Sequence, residues 1–350
     1  MRAADCWTIQ NGEIKPCTAP SGRFRSLVSM HTHSNHSVEK MRPLDSVMAL
    51  WFMAPLRAIV RRAFGLNGVA DLKYADLWYN PPYSPEEVLR METESARTLG
   101  FDYVQLAITD HDEISGAVEL RQRCPAHAHR IALSEELSVR YEEHLFHIGI
   151  SGLREDNVVQ THSAIQQAQR EGRLDDMFDI LKAAQCLVVL NHPLIPWSKG
   201  DARTCALSLL KRYGSVIDAV EFNAMRGQKE NASVLELARH VNKPVIGGGD
   251  SHLLLASAVV CGSGTDNYAD FVREVKSGHA VPVIKSDYFA PMKWKLFLRT
   301  LHFMAHYRQI CHFRGEPVAA MLEDKPVLLD PIGKLSRGFL NLTFALGLAR

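Results

Sequence analysis

His31-Thr32-His33 follows the apolar run Leu27-Val28-Ser29-Met30 directly. In an extended strand, residues two apart project to the same side. The two imidazoles at the exit of this run therefore face one point in space, the arrangement that aims two ligands at one metal ion. A His-x-His pair alone also occurs in ordinary surface strands. It gains weight by repetition, because apolar runs end in His, Asp or Glu again at Asp110-His111-Asp112, Glu135-Glu136, His144, Asn191-His192 and Asp250-Ser251-His252. Imidazole mixed with carboxylate is a donor set suited to zinc, manganese or iron.

The elements that must position these groups alternate strand with helix. Residues 1–26 are polar and broken by Gly12, Pro16, Pro20 and Gly22, an irregular lead-in to the first strand. Residues 40–83 interrupt the alternation: 44–62 has apolar residues at helical spacing (Val47, Leu50, Trp51, Ala54, Ile59) and ends in Arg57, Arg61 and Arg62. Asp45 and Pro55 break its apolar face, which favours a helical insertion packed over the protein rather than a membrane-surface helix. Ser84-Pro85-Glu86-Glu87 is a capping box with proline at the first helical position, predicting a helix to Leu99 that stops at Gly100. The strand 103–108 then delivers Asp110 and His111, and 130–133 delivers Glu135 and Glu136. Residues 137–149 read as a strand pair carrying His144 and His147, and 187–190 ends in Asn191-His192-Pro193. Residues 216–222 end near Glu221 and Asn223, and 244–246 runs into Gly247-Gly248-Gly249, a tight turn that brings in Asp250 and His252. Polar residues repeatedly at the carboxyl ends of strands predict an α/β barrel with its site at that face.

Composition bounds the function. A chain of 350 residues, 46% hydrophobic and 23% charged, buries a large core, and one large domain with additions is expected. With 40 basic and 39 acidic residues, no global field points to nucleic acid or a membrane surface. Seven scattered cysteines without a Cys-x-x-Cys pair argue against a disulfide framework and a zinc ribbon, and make a reducing cytoplasm the expected compartment. The amino terminus shows no apolar run of signal-peptide type and no stretch of 18 uncharged apolar residues occurs, so a soluble protein is expected. Phosphate-binding glycine loops, the Gly-x-Ser-x-Gly elbow and His-Glu-x-x-His are absent.

Four motifs in order carry a specific resemblance: His31-Thr32-His33-Ser34-x-x-Ser37, Ala107-Ile108-Thr109-Asp110-His111-Asp112, Asn191-His192-Pro193 and Gly249-Asp250-Ser251-His252. Together they resemble the signature of the PHP family, named for polymerase and histidinol phosphatase, over about residues 27–285. The resemblance implies a distorted (β/α)7 barrel and metal-dependent phosphoesterase activity. It implies one metal held by His31, His33, Glu136 and Asp250, and a second held by Glu136 as a bridge with His144 and His192. A third would use His111, His252 and a ligand from the first motif, making two or three divalent transition metals in all (zinc, manganese or iron). Glu136 fits the family's acidic-apolar-hydroxyl triplet better than Glu135, and His144 fits better than His147.

The chain departs from the family in one place. Where an aspartate usually stands seven residues after the first His, it has Val38, so Glu39 or His36 is left to complete the third site. The expected chemistry is attack on phosphorus by a hydroxide formed between the metals, with His252 or Asp110 as the acid for the leaving group and Lys199 and Arg226 as ligands for substrate phosphate. The remaining His127, His129, His162, His240 and His279 lack this context and read as ordinary surface residues.

Beyond residue 285 a helical C-terminal extension is expected. Residues 292–314 combine Trp294, Phe297, Leu298, Leu301, Met304 and Tyr307 with Lys293, Lys295, Arg299, Arg308 and Arg314. The favoured partner is a small phosphorylated metabolite or nucleotide. The alternatives are a nuclease acting on nucleic-acid ends, with a basic extension helix contacting the polymer, and a PHP module with reduced catalysis kept for binding or structure.

Overall fold

The computed structural model describes residues 6–10, 12–17, 20–40, 58, 61–62, 76–195, 201–252, 256–313, 315–322 and 329–345. Lys199, Arg57, Arg314 and most of the predicted insertion helix lie outside them; Ala58, Arg61 and Arg62 are helical.

The strands are, in chain order, β1 (Cys6–Gln10), β2 (Glu13–Cys17), β3 (Ser26–Thr32), β4 (Glu39–Lys40), β5 (Leu77–Tyr79), β6 (Val104–Ile108), β7 (Ile131–Ala132) and β8 (Ser134–Tyr141). They continue with β9 (His144–Ser151), β10 (Leu187–Asn191), β11 (Ala219–Asn223), β12 (Val245–Gly248), β13 (Val259–Ser263), β14 (Val281–Lys285), β15 (Cys311–Phe313) and β16 (Glu316–Pro317). The longer helices are α1 (Pro85–Arg97), α2 (Ser115–Arg123), α3 (Val158–Arg170), α4 (Leu174–Ala184), α5 (Ala202–Tyr213), α6 (Gln228–His240), α7 (Tyr268–Lys276), α8 (Met292–Ile310) and α9 (Leu329–Ala345). The predicted capping box of α1 is formed: Ser84 Oγ accepts from Glu87 N–H while the Glu87 carboxylate accepts from Ser84 N–H, an arrangement worth about 1 kcal/mol to the helix.

The strands form a mixed α/β architecture of two main sheets rather than one continuously bonded barrel. One sheet has the order β2-β1-β14-β13-β3-β6-β7 and the other β12-β11-β10-β9-β8. Two single parallel bridges, Thr32 with Ser251 and His111 with Glu136, join the sheets along both seams. Both bridges lie where β3 and β6 end, among the predicted site residues. Buried apolar residues of β3, β6, β7, β10, β11, β12 and β13 meet in one cluster, including Met30, Ala107, Val189, Ala219 and Ile246. The core therefore sits between the sheets, and a second large cluster backs the five-stranded sheet with Ile165, Phe178, Leu181 and Leu209 of α3, α4 and α5.

A third sheet, β16-β15-β5-β4, was not anticipated. Its strands have two or three residues each, and come from the first motif, the insertion and the C-terminal extension. The extension is thus helical in α8 and α9 but contributes strands as well.

Candidate metal centre

The site is built around the carboxylate of Glu136 on β8, which is fully buried. Strand alternation sends Glu136 inward and its neighbour Glu135 to the other face, where His162 and Gln166 bind it. Five imidazoles surround the Glu136 carboxylate. On the Oε2 side lie His31 Nε2 at 3.1 Å, His33 Nε2 at 3.5 Å and His111 Nδ1 at 3.3 Å. On the Oε1 side lie His192 Nε2 at 3.3 Å and His147 Nδ1 at 3.5 Å. Asp250 Oδ1 is 3.9 Å from both His31 Nε2 and His33 Nε2, closing a group of four donors.

His147 stands where His144 was expected, and the reason is register. In the β8–β9 ladder Glu136 pairs with Gly149, Ser138 with His147 and Tyr141 with His144. Paired residues share a face, so His147 lies on the face of Ser138 and Glu136, whereas His144, an odd number of residues away, faces the other side. His144 is buried against the Phe146 ring, 4.6 Å between centroids; its Nδ1 also lacks a hydrogen bond, but among the described residues it belongs to no group of converging donors. Gly149 has a role in the same register: a Cβ there would lie 2.8 Å from Asn191 Oδ1. Its absence lets Asn191 Nδ2 donate to Glu136 Oε1 at 2.8 Å.

Of the two residues weighed for the first-motif ligand, Glu39 is the one that faces the site. Its Oε2 lies 3.5 Å from His111 Nε2 and 3.3 Å from His252 Nε2, and His33 joins the same group. His36 instead pairs with Glu119 at 2.8 Å near the surface. Asp110, weighed as the acid for the leaving group, is held away from solvent. It is fully buried, and its carboxylate accepts from the Ser34 backbone N–H and hydroxyl at 2.6 and 2.7 Å. Burial pushes it up to about 6 against the lowering effect of those bonds, and its position holds the loop after β3. Arg226 approaches Asp250 Oδ2 at 3.9 Å with its side chain a quarter exposed.

Three residues that hold the site were absent from the sequence-level ligand set. Glu221 Oε1 accepts from His31 Nδ1 at 2.6 Å, and its Oε2 accepts from His192 N–H at 2.8 Å and Asn223 Nδ2 at 2.9 Å. That bond leaves the His31 Nε2 lone pair aimed at the Glu136 side, as carboxylates commonly orient metal-binding imidazoles. Asn191 and Asn223 complete the frame. His192 and Asp250 themselves occupy left-handed backbone, at φ 26° and 50°, strain of the kind that persists where surrounding structure fixes a functional residue.

The electrostatics suit cations. Burial alone would raise Glu136 and Asp250, but the neighbouring imidazoles, with Arg226 for Asp250, hold both well below the usual carboxylate range. Burial drives His33 well down and His147 to about 3, which leaves neutral rings with lone pairs free to ligate. Burial also favours neutral His31 and His111, but carboxylates on both sides raise them. Glu136 Oε2, His111 Nδ1 and His147 Nδ1 are buried and make no hydrogen bond among the described residues. Orphaned buried donors and acceptors of this kind are costly, and a cation among them would satisfy all three. Donors bound at about 2.0–2.2 Å sit roughly 3.0–3.5 Å from one another, the spacing found around Glu136 Oε2. Glu39, Glu136, Glu221 and Asp250 bring four buried carboxylates together, a charge that two divalent cations balance.

No family model matches the chain, and no curated protein matches it. Among solved structures it is similar to an amidohydrolase from Chromobacterium violaceum with bound sulfate and no metal, at 17% identity and TM-score 0.37, covering 50% of this chain and 84% of that one. It is similar to a protein from Bifidobacterium adolescentis described as a metal-dependent phosphoesterase, at 17% identity and TM-score 0.36, covering 57% and 92%. It is also similar to PsfC from Pseudomonas syringae, at 18% identity and TM-score 0.42, covering 60% and 88%. With every one of these TM-scores below 0.5, what the site can do follows from its own geometry.

Proposed function

We propose that this chain is a metal-dependent phosphoesterase of the PHP type, acting on a small phosphorylated substrate through two or three divalent transition metals. The observation that carries this reading is the ring of five imidazoles around one buried carboxylate, with lone pairs unsatisfied at Glu136 Oε2, His111 Nδ1 and His147 Nδ1. The four motifs in family order support it. The two sheets bridged at both seams are read here as the halves of a distorted (β/α)7 barrel, with the donors at the carboxyl ends of its strands.

In this reading His31, His33, Glu136 and Asp250 hold one cation, Glu136, His147 and His192 a second, and Glu39, His111 and His252 a third, with Glu136 shared. Such cations supply Lewis acidity toward water and the phosphoryl oxygens. The chain's own residues do the rest. Arg226 binds the substrate anion, Glu221 and Asn191 keep the ligands oriented, and Asp110 positions the loop that presents His33. Two cations balance the four carboxylates, and a third leaves an excess of positive charge that a phosphate dianion offsets.

A small substrate is favoured over a polymer because three cations of the extension are engaged within the fold instead of standing free along a groove. Lys295 is buried and donates to the carbonyls of Ala224 and Tyr288, Arg299 turns inward to the Asp250 carbonyl, and Arg308 pairs with Asp330. No helix among the described residues is long and apolar enough to cross a membrane, and a cytoplasmic location is part of the proposal. The test is metal content together with hydrolysis. Protein purified without chelators should carry zinc, manganese or iron and hydrolyse p-nitrophenyl phosphate. Asp250→Ala should abolish turnover, and chelated wild type should recover only with added metal. Metal-free protein from both aerobic and anaerobic preparations, inert after metal addition, would sink the proposal.

A further inference from the structure

The third group of donors, Glu39, His111 and His252 beside His33, is assembled from distant parts of the chain. Glu39 lies on β4, a strand of two residues that cannot persist by itself. Glu39 pairs with Tyr79 of β5, and Tyr79 pairs with Cys311 of β15 in the extension. One step along, Trp78 pairs with His312, and their rings stack at 3.9 Å with 6° between planes. Asn80 ties the two ends together, its N–H donating to the Ile310 carbonyl at 3.0 Å and its Nδ2 to the Ser37 carbonyl at 2.6 Å. Ser37 Oγ in turn donates to Glu39 Oε1 at 2.7 Å and accepts from His111 N–H at 3.1 Å.

The same extension reaches the other side of the group. Arg299 of α8 donates from Nη2 to the Asp250 carbonyl at 2.9 Å, the oxygen that also accepts from His252 Nδ1 at 3.0 Å. Arg299 Nη2 is also 3.2 Å from His252 Nδ1; in the tautomer whose Nδ1–H donates to the Asp250 carbonyl, Nε2 is the lone pair facing Glu39, and Arg299 holds the shared acceptor in place. Tyr79 also packs edge-on against Phe303 of α8, 5.5 Å between centroids.

We propose that residues 292–313 of the extension are a structural part of the third cation site. β15 positions Glu39 through β5, and Arg299 positions His252 through the Asp250 carbonyl, so two of this site's three ligands are set by the docked extension. The inference rests on the metal-centre reading above and deepens it. It also gives the carboxylate one position beyond Val38 a reason to work: the small sheet, which the extension completes, turns Glu39 toward His111 and His252.

The experiment counts bound Mn2+ per full-length chain, and the affinity of the weakest site, by titration of chelated protein. Wild type should bind three ions and Glu39→Gln two. Arg299→Met should weaken the third ion by about 10–100-fold, the usual cost of losing a group that orients a ligand, and the ion held by Asp250 by less. Arg299→Lys, whose ammonium still donates to the Asp250 carbonyl, should recover most of it. The Trp78→Ala, His312→Ala double variant should weaken the third ion too and speed amide exchange at residues 37–40. A third ion bound with wild-type affinity in both Arg299→Met and the double variant would overturn the inference, as would equal weakening of all three ions. Wild type binding two ions, unchanged by Glu39→Gln, would overturn it while leaving a binuclear phosphoesterase intact, whereas wild type binding none would remove both.

Discussion

Glu221→Gln changes almost no volume but removes a charge and an acceptor from a residue whose oxygens are committed. Oε1 accepts from His31 Nδ1, and Oε2 accepts from His192 N–H and Asn223 Nδ2. A glutamine has one acceptor oxygen and one amide donor. With the amide nitrogen toward His31, two donors meet, and relief requires the His31 proton to move to Nε2, where it blocks the lone pair aimed at Glu136. With the nitrogen toward His192 and Asn223, one amide faces two buried N–H groups that lose their acceptor, at about 1–3 kcal/mol for each group left unsatisfied. Either orientation disturbs a metal ligand, and the expected loss of affinity at the His31 site is about 10–100-fold, or roughly 1.4–2.7 kcal/mol. The assay is competition with a chelator of known affinity, run alongside thermal melting of the metal-free protein to separate ligand orientation from folding. Unchanged metal affinity in a variant that melts normally would refute the assigned role of Glu221.

The neighbouring histidines of β9 should part company: His147→Ala should lower metal affinity at least tenfold. His144→Ala should leave metal content unchanged and cost about 1–3 kcal/mol in denaturant unfolding through lost packing on Phe146; the reverse pattern would contradict the register. A pH effect should come from His302 on α8, buried with both ring nitrogens unpartnered among the described residues and pushed down to about 3 by burial and then by His306. It stays neutral in the folded chain while the unfolded chain takes up a proton below about 6.5, so its stabilising effect is complete above that value and is lost as pH falls toward 3. His302→Leu should flatten this acid loss, by up to several kcal/mol at its low end, in urea titrations of metal-free protein at pH 7, 5.5 and 4. Parallel slopes for variant and wild type would exclude it.

What could be read from the chain was what is local. The capping box at Ser84 and Glu87, the strand ends at His31, His111 and His192, and the tight turn before Asp250 depend on neighbours within a few residues. The choice of His147 over His144 depends instead on β8–β9 register. A two-residue hairpin at Glu142-Glu143 sets that register without the glycine or asparagine that usually announces such a turn. Glu221 was visible at a strand end but carried no mark distinguishing an orienting carboxylate from a surface one, because its partners arrive from β3 and β10. Glu39 could be named only as one of two substitutes for the ligand missing at Val38. What selects it over His36 is a sheet whose next two strands, β5 and β15, begin 38 and 272 residues later, and pairings of that range leave no local signature. The same holds for Arg299, which as sequence is one cation in a basic helix and in the fold is bonded to the Asp250 carbonyl.

The central claim is that the carboxylate of Glu136 is shared between cations. A crystal of the chain grown with Mn2+ or Zn2+, with anomalous difference maps recorded on either side of that metal's absorption edge, tests it directly. The account predicts peaks flanking Glu136, each about 2.0–2.3 Å from one of its oxygens, with His31 and His33 on one side and His147 and His192 on the other. A metal-soaked crystal with no peak at Glu136, or with His144 rather than His147 among the ligands, would contradict it.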